Sequence, residues 1–143
     1  MNSNGYVAYK TTKVETADQG KLILIAYDVA IKHCKMSLDK FGKYECIEER
    51  SKHLCRAQDA VNELMGALRM DVGEIAENLY RLYSYIIRRL VEANIKNDRK
   101  PVDEVLNYLV DLRDAWRQAI VNVKKEQFAE AGEPALQTLS ITG

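Results

Sequence analysis

The chain is poor in proline, with Pro101 and Pro134 its only two in 143 residues. Long stretches can therefore stay helical without a break. It also lacks an excess of either charge, with 21 basic and 21 acidic residues. The broad positive field that nucleic-acid binding needs is missing, so no nucleic acid is expected. The short group Lys96, Arg99 and Lys100 reads as a solvated turn. No apolar run approaches the roughly 20 residues of a membrane span, and stable membrane insertion is not expected. The opening MNSNGYVAYK has no apolar signal core, which makes the cytoplasm the expected location. Three cysteines, Cys34, Cys46 and Cys55, form no CxxC and no zinc spacing with His33 and His53, so disulfides are not expected.

The usual motifs of chemistry are missing as well. Neither GxxxxGK[ST] nor GxGxxG occurs, and HExxH is absent. A serine or cysteine nucleophile needs a base, and the two histidines sit in no catalytic motif. Asp71, Glu74 and Glu77 lie early in the third helical segment, where acidic residues favour the positive helix end. The Glu-x-x-His of di-iron bundles is not there. These absences predict no catalysis, no cofactor and no metal.

What is present is helical periodicity. Thr16 or Asp18 can cap a first helix, interrupted weakly by Gly20, whose apolar residues recur from Lys21 to Lys40; Gly42 is its stop. A second helix is predicted from about Tyr44 to Met70, with Ile47, Leu54, Val61, Leu64, Met65 and Leu68 along one side. A third covers about Val72 to Ile95, with a stripe of Ile75, Leu79, Leu82, Ile86 and Leu90. Residues 94–100 read as a turn, and Pro101 follows at a good first-turn position. A fourth helix is predicted over Val102 to Lys125, with Val105, Leu109, Leu112, Trp116, Ile120 and Val123 inward. A short helix near Phe128 to Ala131 then ends at Gly132 and Pro134.

Four amphipathic helices joined by short turns have one economical solution, an all-α antiparallel four-helix bundle. The expected organisation is a flexible N-terminal segment over residues 1–15, the bundle over 16–125, and a short helix and tail over 126–143.

The first helix carries more apolar surface than one core contact needs. At about 100° per residue, Leu22, Ile25, Val29 and Met36 gather on one side, and Leu24, Tyr27, Ile31, Cys34 and Leu38 on nearly the opposite side. One reading covers both sides within the monomer or with the N-terminal segment. The other leaves part of the surface as a groove for a partner helix or strand. On the third helix Tyr80, Tyr83, Ile87 and Val91 widen the apolar arc, and tyrosine suits a surface that is wet in one state and covered in another. Tyr6 and Tyr9 could dock into one of these grooves and be displaced by a partner. The candidate partner-binding residues are Tyr6, Tyr9, Leu22, Ile25, Tyr27, Val29, Tyr80, Tyr83 and Ile87, with Asn78 and Asn94 either as polar anchors for a client backbone or, equally, as helix-end or surface hydrogen-bonding residues. A non-catalytic adaptor or self-associating structural bundle is the alternative from a different class.

Several of these elements occur together in one known family. Tyr6-Val7-Ala8-Tyr9 opens the chain, followed by Val14, Thr16-Ala17, Lys21-Leu22-Ile23 and Tyr27-Asp28. Gly73-Glu74-Ile75-Ala76-Glu77-Asn78-Leu79 precedes Leu82-Tyr83, then Leu90, Ala93 and Asn94, and Leu112-Arg113-Asp114-Ala115-Trp116 closes the fourth helix. In their order and spacing these residues resemble the FliS family of flagellar secretion chaperones over about residues 6–120. Asp18-Gln19-Gly20 stands where the family has a proline before Lys-Leu-Ile, and Ala26-Tyr27-Asp28-Val29 replaces its Leu-Tyr-Asp-Gly. The resemblance implies a cytoplasmic antiparallel helical bundle that binds the disordered C-terminal region of flagellin, partly as helices, and delays its polymerisation before export. It further implies that the N-terminal segment covers part of the binding surface in the free state. A loaded chaperone would contact an export-gate component, and some members bind regulatory proteins.

Overall fold

The structure, a computed structural model, describes residues 12–69 and 73–136. Among these every regular element is helical. Helix α1 is Thr12–Ser37, α2 is Ile47–Gly66, α3 is Glu74–Lys96 and α4 is Lys100–Leu136. Two short 3-10 turns, Leu38–Lys40 and Tyr44–Cys46, link α1 to α2. The chain divides into two compact units, Lys21–Arg113 and a second that pairs the preceding and following stretches.

Within Lys21–Arg113 the four helices alternate in direction. Tyr27 meets Tyr83, and further along Gly42 meets Asn97, so α1 and α3 run the same way. Arg50 near the start of α2 reaches Asn94 near the end of α3, and Glu104 early in α4 reaches Tyr85 and Arg89. Neighbours are thus antiparallel, the arrangement short connections impose. The core is Tyr27, Ile31 and Cys34 of α1, Leu54, Val61 and Leu64 of α2, Tyr83, Ile86 and Leu90 of α3, and Val102, Val105 and Leu109 of α4. Ala26, Ala30, Ala57, Ala60, Ala76 and Ala93 are buried between them, small enough for helix backbones to approach closely.

Chain reversals follow from local chemistry. After the first 3-10 turn Gly42 takes φ 78°, a left-handed value that suits a residue without Cβ. Helix α3 ends at Asn97 with φ 52°, and the Asp98 N–H donates to the Ala93 carbonyl at 3.0 Å, closing the last turn. Asp98 Oδ1 in turn accepts the Lys100 N–H at 3.0 Å and starts α4. Pro101 lies in the first turn, as its missing N–H requires.

Five sequence expectations need correction. Helix α1 begins at Thr12, ahead of the proposed caps, and α2 stops at Gly66 instead of continuing to Met70. Helix α4 does not break near Lys125; it runs through Gly132 and Pro134 to Leu136. The α3 core stripe is rotated: Ala76, Tyr83 and Ala93 are buried, whereas Ile75 is exposed and Leu79 and Leu82 are half-buried. Gly20, expected as a weak interruption, sits inside α1, where an added Cβ would meet Ile120 Cδ1 at 2.9 Å. It marks a close approach of α1 and α4 within the second unit.

Candidate functional site

Helix α1 sorts its two apolar stripes unequally. Tyr27, Ile31 and Cys34 are sealed in the core, while Leu22 is 60% exposed, Ile25 55% and Met36 43%, with Val29 half-buried. The small residues Ala26, Ala30 and Ser37 share the buried side. The outward side therefore holds Leu22, Ile25, Val29 and Met36 as an apolar strip, with Lys32 set between Val29 and Met36. Its edges are polar: Asp28 accepts from Arg113 of α4 at 3.3 Å, and His33 meets His53 of α2 with their Nδ1 atoms 2.9 Å apart.

Tyr27 and Tyr83 are corrections to the set of partner-facing candidates. Both are fully buried, their rings tilted 6.4 Å apart and their hydroxyls 2.5 Å from each other. A tyrosine can enter the core here because its hydroxyl has a hydrogen-bonding partner there. Because Tyr27 points toward α3 through this pair, the Leu22–Met36 strip on the opposite side of α1 faces away from α3. Tyr80 (47% exposed), Ile87 (half-buried) and Val91 (exposed) line a flank of α3, so the outward residues of the two helices form separate patches.

Of the two roles open to Asn94, the structure shows hydrogen bonding at a helix end and not a free anchor. Its Oδ1 accepts from Arg50 Nε at 2.9 Å, its Nδ2 donates to Ser51 Oγ at 3.0 Å, and its carbonyl accepts from Arg50 Nη2 at 3.1 Å. Arg50 Nη1 donates to Asn97 Oδ1 at 2.7 Å, the same oxygen that takes the Gly42 N–H at 3.0 Å. The guanidinium, 4% exposed, lies 5.1 Å from the Phe41 ring centroid. This buried cation ties the α1–α2 connection to the end of α3, and Asn94 is committed to it. Asn78 is exposed, with its Oδ1 accepting from Arg81 at 2.7 Å. Tyr6 and Tyr9 lie outside the described residues.

The seam between α3 and α4 is polar. Glu104 accepts from Tyr85 at 2.7 Å, Arg89 at 2.9 Å and Tyr108 at 3.2 Å. The Tyr85 hydroxyl bond, with help from Arg89, holds the Glu104 carboxyl below the usual carboxylate range. Burial pushes the Cys34 thiol up to about 12, which makes it an inert core group. Burial, then the neighbouring His53, Lys32, Arg56 and Lys52, lower the His33 pKa. No local pattern in the sequence pairs His33 with His53, which lie 20 residues apart on different helices. Among the described residues no cluster of three or more His, Cys, Asp or Glu could hold a metal ion, and no helix is long and apolar enough to cross a membrane.

The fold is a helical bundle that turns a strip of large apolar side chains outward, a feature typical of surfaces that contact another chain. The family described as Flagellar protein FliS matches residues 2–124. The flagellar secretion chaperone FliS of Bacillus subtilis (strain 168) is 35% identical over 129 residues, 90% of this chain and 96% of that protein. Its counterpart in Campylobacter jejuni is 30% identical over 119 residues, 82% of this chain and 92% of that protein. The one in Salmonella typhimurium is 50% identical over a shorter 46 residues, 32% of this chain and 34% of that protein. The chain belongs to the FliS family.

Proposed function

We propose that this chain is a cytoplasmic export chaperone that binds the disordered C-terminal region of flagellin, prevents its premature polymerisation and supports its secretion. It is a binding protein and not an enzyme, in keeping with a family of secretion chaperones. The observation that carries the reading is the outward strip of Leu22, Ile25, Val29 and Met36 on a bundle of this family. A flagellin tail that drives polymerisation exposes apolar side chains, and a chaperone that covers them offsets the entropy of ordering the tail with the burial gained. An outward helix face suits a client that becomes helical on binding.

In this reading Leu22, Ile25 and Val29 meet the client on α1, and Tyr80 and Ile87 form a second contact on α3, with Asn78 as a polar anchor beside it. Residues 1–15, with Tyr6 and Tyr9, cover part of this surface in the free protein and give way to the client. The loaded chaperone then contacts an export-gate component, and regulatory proteins share its surface.

Calorimetry and sedimentation with a synthetic flagellin C-terminal peptide test the core of this. A monomer forming a one-to-one complex with a clearly negative heat-capacity change is the expected result. A constitutive oligomer that ignores the peptide would instead make the outward strip a self-association surface.

A further inference from the structure

We propose that the outward strip of α1 takes a client helix whose acidic side chains lie over its Val29–Met36 half, held by Lys32, Lys35, Lys52 and Arg56. This deepens the chaperone reading and rests on it. The spacing within the strip is the starting point. Leu22, Ile25, Val29 and Met36 follow the three-and-four alternation of a helix–helix seam, a face about 21 Å long at 1.5 Å per residue. The step of that seam between Val29 and Met36 is Lys32, a cation set among the apolar side chains.

Four cations converge around that half. From α1 come Lys32 and Lys35, both exposed. From α2 come Lys52 and Arg56, brought to the edge of the strip where His33 and His53 join the two helices. The field that His33 feels records this convergence: besides His53, its charged neighbours are Lys32, Arg56 and Lys52, all cationic. None of Lys32, Lys35, Lys52 and Arg56 enters an ion pair among the described residues.

Along α3 and at the start of α4 several charges are paired. Arg89 meets Glu92 and Glu104, Lys96 meets Glu92, Arg99 meets Asp103 and Arg81 meets Glu77. The flanking acids are Glu49, which meets Lys40 at 3.9 Å, Asp28, which meets Arg113 at 3.3 Å, and the exposed Glu48 and Asp59, which lie on α2 just before Lys52 and just after Arg56. Toward the Leu22 end the sign is mixed, because Glu63 follows Arg56 two turns along α2 and Lys21 precedes Leu22. The surplus is therefore local in a chain whose net charge is zero.

An apolar strip with unpaired cations at one end is complementary to an amphipathic helix that carries acids at the matching end. The chain's own N-terminal residues do not fit that half. Residues 1–15 carry Lys10 and Lys13 against one acid, Glu15 at their far end, so docking them there would bring like charges together. A flagellin-tail helix with clustered Asp or Glu answers both the apolar and the charged requirement.

The test uses the full chain and three probes: a flagellin C-terminal peptide, and two designed helical peptides with one heptad apolar seam, flanked by Glu in one and Lys in the other. Wild type should bind the Glu peptide about tenfold tighter than the Lys peptide, with the advantage shrinking as salt is raised. The Lys32→Glu/Arg56→Glu variant should reverse the order while its circular dichroism stays unchanged. Equal binding of the designed peptides, or no reversal, overturns the inference, and tail binding in that case leaves the chaperone reading standing. Binding of none of the three probes overturns both. Dimerisation of wild type that the double variant abolishes makes a second copy the occupant and overturns the inference.

Discussion

Ile25 and Tyr27 are two residues apart on α1 and lie on opposite sides of it: Ile25 is more than half exposed, and Tyr27 is sealed against Tyr83 in the core. A strand would be needed to put residues i and i+2 on one face; a helix turns them about 200° apart. The helix thus separates holding the bundle together from offering a surface. Replacing Ile25 with Glu should leave stability within about 0.5 kcal/mol of wild type, as exposed substitutions do. Tyr27→Ala should lower it by about 3 kcal/mol or more, because a large aromatic leaves a cavity in a packed core. Denaturant unfolding of the two variants checks the contrast.

The hydroxyl pair gives a second expectation. Tyr27→Phe and Tyr83→Phe each remove the same hydrogen bond, and each should destabilise by about 1 kcal/mol. The double variant should lose less than the sum, a coupling that a double-mutant cycle measures directly. Full additivity would mean the two hydroxyls contribute independently.

Arg50 and Asn94 make a third. Asn94→Ala withdraws one acceptor from a buried guanidinium and leaves Ser51 without its amide donor, so stability should fall by about 2 kcal/mol. Asn94→Asp keeps the acceptor and should recover most of that loss. Client affinity should be unchanged in Asn94→Asp, because this side chain serves the bundle. A tenfold loss of client binding in a variant of wild-type stability would restore Asn94 as an anchor.

His33 predicts the pH response. Its pKa in the folded chain lies below the ordinary 6.5, chiefly through burial and then through His53 and the cations around it. The unfolded chain therefore binds the proton more readily. The contribution to stability is complete above pH 6.5 and is lost as the pH falls below that value toward the lowered folded pKa. His33→Gln should flatten the fall in melting temperature between pH 7 and pH 5, as thermal scans across that range would show; an unchanged slope would assign the acid sensitivity elsewhere.

Much of this was legible in the sequence. Helical periodicity gave four helices, and Gly42 and Pro101 marked two of the boundaries correctly. The two stripes of α1 were visible, but which one faced inward was not. The deciding residues were Ala26, Ala30 and Ser37, small side chains that permit close packing and that a search for large apolar residues passes over. The same blindness hid Tyr83, whose core position is marked by Ala76 and Ala93 on its side of α3. Tyr83 reads as a surface residue because its hydroxyl needs a partner, and that partner sits 56 residues away in sequence. No local rule joins His33 to His53 or Arg50 to Asn94 either; those pairings exist only once the helices are stacked.

The most direct test of the account is the affinity of a flagellin C-terminal peptide for the Ile25→Glu chain, with Tyr44→Glu as control. Tyr44 is still more exposed, at 88%, but it stands on the 3-10 turn before α2, off the strip. Ile25→Glu should weaken binding at least about tenfold, because it sets a carboxylate in a face that must be dried, while Tyr44→Glu should bind like wild type. Equal affinities for wild type and Ile25→Glu would contradict the assignment of α1's outward side as the client surface.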